Sequence, residues 1–123
     1  MNGNEVFMHI EELGNLYFSE VLLHFVYPQC FVCRDTTGSR YLFYEMHSSP
    51  DKDTWLVSRI TDDDYGDILQ RRKPVQEAYR SRTAPDIFSV TKIYGDTDTI
   101  SLDYDGERWL EKLPEENIYP DCG

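Results

Sequence analysis

An α+β fold, an antiparallel sheet of about five or six strands with two short helices inserted after the third, is predicted by three observations. Three strand-like runs lie between Tyr27 and Ile60, separated by turn residues. An acidic, helix-like stretch follows at Thr61 and a proline at Pro74. A meander pattern then fills residues 87–110. Strands, then helices, then strands again is the order expected of α+β architecture. At 123 residues the chain is one domain over 1–123, large enough to bury a core and too short for two.

Along the chain, Asn4 is placed to cap a short helix from Glu5 to Leu13 that Gly14 ends, although the alternation of Val6, Met8 and Ile10 also permits a strand. Leu16-Tyr17-Phe18 is a short apolar run, and Ser19 to Val26 fits either a strand or a helical turn. Tyr27 to Arg34 reads as a strand, Asp35-Thr36-Thr37-Gly38 as a turn, and Tyr41 to Met46 as its hairpin partner. A polar loop from His47 to Asp53 leads to the third strand, Trp55 to Ile60.

Thr61 and Asp64 have capping-box spacing, in which side chains satisfy free amides at a helix start. Asp62 and Asp63 add favourable negative charge there, and Arg71-Arg72-Lys73 lie toward the other end. Pro74 suits the first position of a second helix, Pro74 to Arg82. Ile87 to Tyr94 and Thr99 to Tyr104 are strands joined by Gly95-Asp96-Thr97-Asp98, and Asp105-Gly106 is a two-residue hairpin signal before Glu107-Arg108-Trp109-Leu110. The expected core draws on Phe25, Phe31, Leu42, Tyr44, Leu56, Val57, Ile60, Ile68, Leu69, Ile87, Val90, Ile100, Leu102 and Leu110.

Charge bounds the function. Twenty-three acids against twelve bases give a net charge of −11, unevenly spread. Residues 69–92 form a basic island, whereas residues 93–123 carry nine acids and two bases. Direct nucleic-acid binding is disfavoured, because its affinity comes largely from Lys and Arg displacing counterions. No apolar run approaches the roughly 20 residues that span a bilayer, and the first twelve residues lack the basic start of a signal peptide. An odd number of cysteines, three, argues against a disulfide framework and for a reducing, cytoplasmic setting.

The Tyr27-Pro28-x-x-Phe31 opening, Gly38 in the turn, Tyr41-Leu42, and Trp55-Leu56-Val57 running into an acidic helix start resemble a bacterial family of small domains of unknown function. The resemblance covers roughly residues 16–80. It implies a bacterial or phage setting and transfers no catalytic residue.

No chemical motif is strong. Cys30-x-x-Cys33 suggests zinc or redox chemistry, but zinc needs about four ligands, and residues three apart on a strand face opposite sides. Asp96, Asp98, Asp103 and Asp105 resemble a calcium loop, yet Ile100 and Ser101 occupy positions that the EF-hand reserves for a ligand and a glycine. Asp62-Asp63-Asp64 reads as a helix cap rather than a magnesium site, and His9, His24 and His47 have no triad partners at suitable spacing. No catalytic residue, metal or cofactor is assigned.

The function expected is therefore a small non-catalytic protein-interaction module, a regulator, inhibitor or immunity-type partner of another protein. Tyr65, Arg71, Arg72, Tyr79, Tyr94, Tyr104 and Trp109 are its candidate contacts, since Tyr, Trp and Arg anchor interfaces. One alternative is an acidic nucleic-acid mimic that inhibits a DNA-binding enzyme through Asp96, Asp98, Asp103, Asp105, Glu107, Glu111, Glu115 and Glu116. Another is a zinc or redox protein built on Cys30 and Cys33. No membrane partner is expected, and self-association is compatible with the sequence.

Overall fold

A computed structural model describes residues 6–24, 28–73, 75, 79 and 86–104. They form one antiparallel sheet of seven strands: β1 (Val6–Ile10), β2 (Gly14–His24), β3 (Pro28–Arg34), β4 (Arg40–Ser48), β5 (Lys52–Ile60), β6 (Ile87–Ile93) and β7 (Thr99–Asp103). Each strand pairs with the next in sequence. The sheet curls until β1 and β7 approach one another, although no ladder joins them.

This corrects the expected architecture. The domain is a nearly closed, barrel-like sheet and not an α+β sheet of five or six strands with two helices. Among the described residues there is one helix element, α1 (Asp62–Leu69). The expected second helix, Pro74 to Arg82, lies outside them apart from Val75 and Tyr79.

The N-terminal helix is overturned as well, because residues 6–10 are β1. The period-two spacing of Met8 and Ile10 wins, since it turns both side chains into the core. Gly14 does not end a helix. With φ at +83° it turns the chain out of β1 and into β2, and Leu13 N–H donates to the Ile10 carbonyl at 2.9 Å across that turn.

The β3–β4 hairpin is fastened by Asp35. Its Oδ1 accepts from Thr37 N–H at 2.9 Å, the Thr37 hydroxyl at 2.6 Å and Ser39 N–H at 3.0 Å. Its Oδ2 accepts from the Tyr41 hydroxyl at 3.1 Å. Burial alone would raise the carboxyl pKa, but these hydrogen bonds outweigh it and hold the group below its ordinary value. Gly38 supplies the positive φ, +90°, that this turn needs.

Apolar side chains fill both faces of the sheet. The concave side gathers Met8, Ile10, Leu16, Phe31, Cys33, Tyr41, Phe43, Trp55, Val57, Phe88 and Val90, with Phe7, Phe18, Ile100 and Leu102 against them. On the convex side, Cys30, Val32, Leu42, Leu56, Ile60 and Ile87 lie beneath Ile68 of α1, Val75 and Tyr79. This double coverage explains the unbroken apolar runs Tyr41-Leu42-Phe43 and Trp55-Leu56-Val57: alternate residues serve different cores. Of the expected core, Leu69 is exposed, Tyr44, Ile100 and Leu102 are half-buried, and Phe25 and Leu110 lie outside the described residues.

Helix α1 starts as its cap predicts, with the Thr61 hydroxyl accepting from Asp64 N–H at 3.1 Å. The basic residues beyond its end fold back onto its acids. Lys73 Nζ lies 3.7 Å from Asp64 and 3.4 Å from Asp67, and Arg72 lies 3.4 Å from Asp67. No helix among the described residues is long and apolar enough to cross a membrane.

Candidate functional site

Strand pairing brings together, at one end of the barrel, residues that are far apart in sequence. The concave rows of β4 and β5 run Tyr41-Phe43-Glu45 and Val57-Trp55-Asp53, so each ends in a carboxylate in phase with core aromatics. Asp53 is opposite Lys92 of β6, and Tyr94 follows just beyond that strand. Phe7 of β1 and Phe18 of β2 complete the rim. The result is an open cavity of about 330 Å³ lined by Phe7, Phe18, Phe31, Trp55, Glu45 and Asp53, with Met8, Ser48, Lys92 and Tyr94 at its edges. That volume lies at the small end of ligand pockets, which run roughly 300–1,000 Å³.

The floor is an aromatic stack. Phe31 lies between Phe18, 5.4 Å away, and Phe43, 5.1 Å away, both nearly parallel to it. Phe7 and Trp55 meet Phe31 edge-on at 5.2 and 6.5 Å. Offset and edge-to-face contacts of this kind add to the area each ring buries.

Above the floor, Glu45 and Asp53 share a hydrogen bond. Burial, that bond and the Asp53 charge together push the Glu45 carboxyl up to about 7, against a weaker downward pull from Ser48. The Tyr94 hydroxyl donates to Asp53 Oδ2. That bond, with some burial, pushes the Tyr94 hydroxyl up to about 12. Lys92 extends away from the pair, with Nζ 5.3 Å from the Tyr94 ring centre and 4.0 Å from Asp98 Oδ2.

Folding therefore favours the protonated form of Glu45. Below about pH 4.5 both folded and unfolded chains hold this proton, and its contribution is fully present. As pH rises toward about 7 the unfolded chain releases the proton first, and stability falls until the folded chain has lost it too. Glu45→Gln removes this dependence while preserving a donor for Asp53. The variant is expected to match the wild type near pH 4 and to exceed it by about 1 kcal/mol at pH 8, a modest gain because solvent screens this half-buried carboxyl. Urea denaturation at the two pH values checks this; equal stability at pH 8 would contradict it.

The sequence-predicted contacts do not form one surface. Tyr94 lines the cavity. Tyr104 is exposed at the opposite barrel end, packed on Phe88 at 6.0 Å. Tyr65, half-buried on α1 with the Arg40 guanidinium 4.5 Å from its ring centre, faces the convex side together with Arg71 and Arg72, which are exposed. Tyr79 is fully buried and donates its hydroxyl to the Leu42 carbonyl at 3.0 Å, so it is a core residue. Trp109 lies outside the described residues.

Of the acidic residues, Asp96, Asp98 and Asp103 are exposed on the β6–β7 loop and β7. Asp105, Glu107, Glu111, Glu115 and Glu116 lie outside the described residues. Cys30 and Cys33 are both buried, one in the convex core and one in the concave core. Burial pushes both thiols up, Cys33 to about 12, which suppresses the thiolate that metal binding and redox exchange require. Among the described residues, no three His, Cys, Asp or Glu side chains group to hold a metal ion.

Sequence reasoning missed Glu45, Asp53, Phe7, Phe18 and Lys92 as site residues. A signal was present: Glu45 and Asp53 each continue an apolar period-two row, where a solvent-facing residue would be out of phase.

A family model described as a family of unknown function (DUF6575) matches residues 4–123. No curated protein and no solved structure matches the chain.

Proposed function

The chain belongs to this family of unknown function, and we propose that it is a non-catalytic protein-interaction module, a regulator, inhibitor or immunity-type partner, whose contact is the open end of the barrel. The observation that carries this reading is the cavity itself, where an aromatic floor, two carboxylates and the exposed Tyr94 ring converge. Aromatic residues next to a concave, partly dry site are the usual anchors of binding energy. Hydrolysis of a glycosidic bond fits poorly. Paired carboxylates in such enzymes stand about 5 Å or more apart to admit the bond, whereas Glu45 and Asp53 hydrogen-bond to each other.

Affinity capture from a bacterial lysate, read by mass spectrometry, tests the proposal. The tagged wild type is expected to recover one dominant protein, and Tyr94→Ala to reduce that recovery about tenfold, the effect of losing a modest hot spot. Arg71→Ala with Arg72→Ala, on the convex side, is expected to leave recovery unchanged. Equal recovery by wild type and Tyr94→Ala would overturn the assignment of the contact. Recovery only at low salt, of DNA-processing enzymes, would favour the acidic mimic instead.

A further inference from the structure

The geometry points to a lysine side chain of the partner protein, an ammonium on an apolar stem, as the group that the barrel mouth receives. This rests on the mouth being the contact. Two carboxylates, Glu45 and Asp53, face the cavity, and the single base beside them among the described residues, Lys92, is drawn aside by Asp98 and the Tyr94 ring. An anion would meet those carboxylates. An uncharged apolar group would strip water from the negative charge that the hydrogen-bonded pair carries and return no counter-charge, which is costly. A hard metal ion wants six or more oxygens and several acidic ligands, whereas the described lining offers two carboxylates with the Ser48 and Tyr94 hydroxyls, and no third His, Cys, Asp or Glu joins them.

An organic cation satisfies all three constraints. Its charge sits between Glu45 and Asp53 while Phe7, Phe18, Phe31 and Trp55 cover its stem. A compact ammonium suits two carboxylates already in contact better than a guanidinium, whose planar fork matches one carboxylate. Seating the cation displaces the proton held between Glu45 and Asp53: the neutral acid of Glu45 releases H⁺ to solvent and leaves a carboxylate opposite the ammonium. Among the described residues, Glu45, Asp53, Lys92, Tyr94 and Asp98 are the charged and titratable groups around this position.

The direct test titrates the full chain with n-butylammonium chloride, a lysine side-chain surrogate, and follows the Trp55 indole N–H by NMR. Butan-1-ol is the neutral control. A saturable shift is expected with butylammonium, with butan-1-ol at least tenfold weaker. Affinity should rise roughly eightfold to tenfold from pH 6 to pH 8, as Glu45 passes from about a tenth to about nine-tenths ionised. Glu45→Gln, which keeps the shape of the site, should lower affinity about tenfold at pH 8 and flatten the pH dependence. Equal binding of butan-1-ol, or unchanged affinity in Glu45→Gln, would overturn the inference.

Capture distinguishes the source of the cation. Acetylating the lysines of the lysate removes their charge and should abolish Tyr94-dependent recovery, whereas reductive methylation keeps the charge and should preserve it. Recovery that survives acetylation while butylammonium binds would overturn the partner lysine in favour of a free amine. Mouth-dependent recovery without butylammonium binding would overturn the cation and leave the binding module standing. Recovery indifferent to Tyr94→Ala would remove the binding reading itself.

Discussion

Phe43→Ala is expected to cost about 3–5 kcal/mol of folding stability, a large share of the roughly 5–15 kcal/mol that holds a domain together. Phe43 is fully buried near the middle of β4, opposite Phe31 on β3 and Val57 on β5. It stacks on Phe31 at 5.1 Å and meets Trp55 and Phe7 edge-on at 6.1 and 6.3 Å. Truncation removes a ring that several strands share, and β4, paired on both sides, cannot slide inward to fill the space. Urea denaturation should show a lower midpoint at an unchanged slope, with Phe43→Leu losing less than half as much. A loss below about 1 kcal/mol for the alanine variant would mean that the barrel is not packed around this ring.

The second large effect concerns the cysteines. Cys30→Ser and Cys33→Ser each place a hydroxyl in an apolar core, at about 1–3 kcal/mol apiece. Because the two side chains point to opposite faces of β3 and share no core, the losses should add in the double variant to about 2–6 kcal/mol. Cys→Ala at both positions should be milder, since no polar group is buried. Zinc content by elemental analysis should be the same, and far below one ion per chain, in wild type and double variant. Stoichiometric zinc lost on substitution would restore the metal reading. In a Cys122→Ser background, which removes the third cysteine, rapid maleimide labelling of native Cys30 or Cys33 would contradict the burial that suppresses the thiolates.

What the sequence disclosed follows the range of the forces involved. The β3–β4 hairpin and the start of α1 depend on residues within a few positions of one another, Asp35 with Thr37, Ser39 and Gly38, and Thr61 with Asp64, so local chemistry declared them. The divergence of Cys30 and Cys33 likewise follows from strand periodicity alone. The first 24 residues were ambiguous because Gly14 serves equally well to end a helix or to turn a hairpin, and only burial of Met8 and Ile10 decides. The second cover on the convex face was hidden for a different reason. It depends on Ile68, Val75 and Tyr79 returning over β3–β6, a long-range event that leaves no local pattern beyond apolar runs without alternation. The carboxylate pair was hidden by register. Glu45 is opposite Trp55, so Asp53, two residues along β5, lies diagonally across from it on the same face, a pairing that the in-phase rows permit but only the register fixes.

Sequential pairing also sets how the chain finds this structure. Apart from the excursion between β5 and β6, every ladder is closed by a connection of a few residues, and the β3–β4 turn carries its own hydrogen-bonded clasp at Asp35. Short closures cost little chain entropy, so most native pairings become reachable hairpin by hairpin. Closing the 61–86 excursion requires the longest search of the six connections, and it both places β6 and brings Ile68 over β3–β5. The slowest structural step is therefore the one that turns a run of hairpins into a two-sided core, and substitutions in α1 and β6 should slow folding more than equally costly ones in β1.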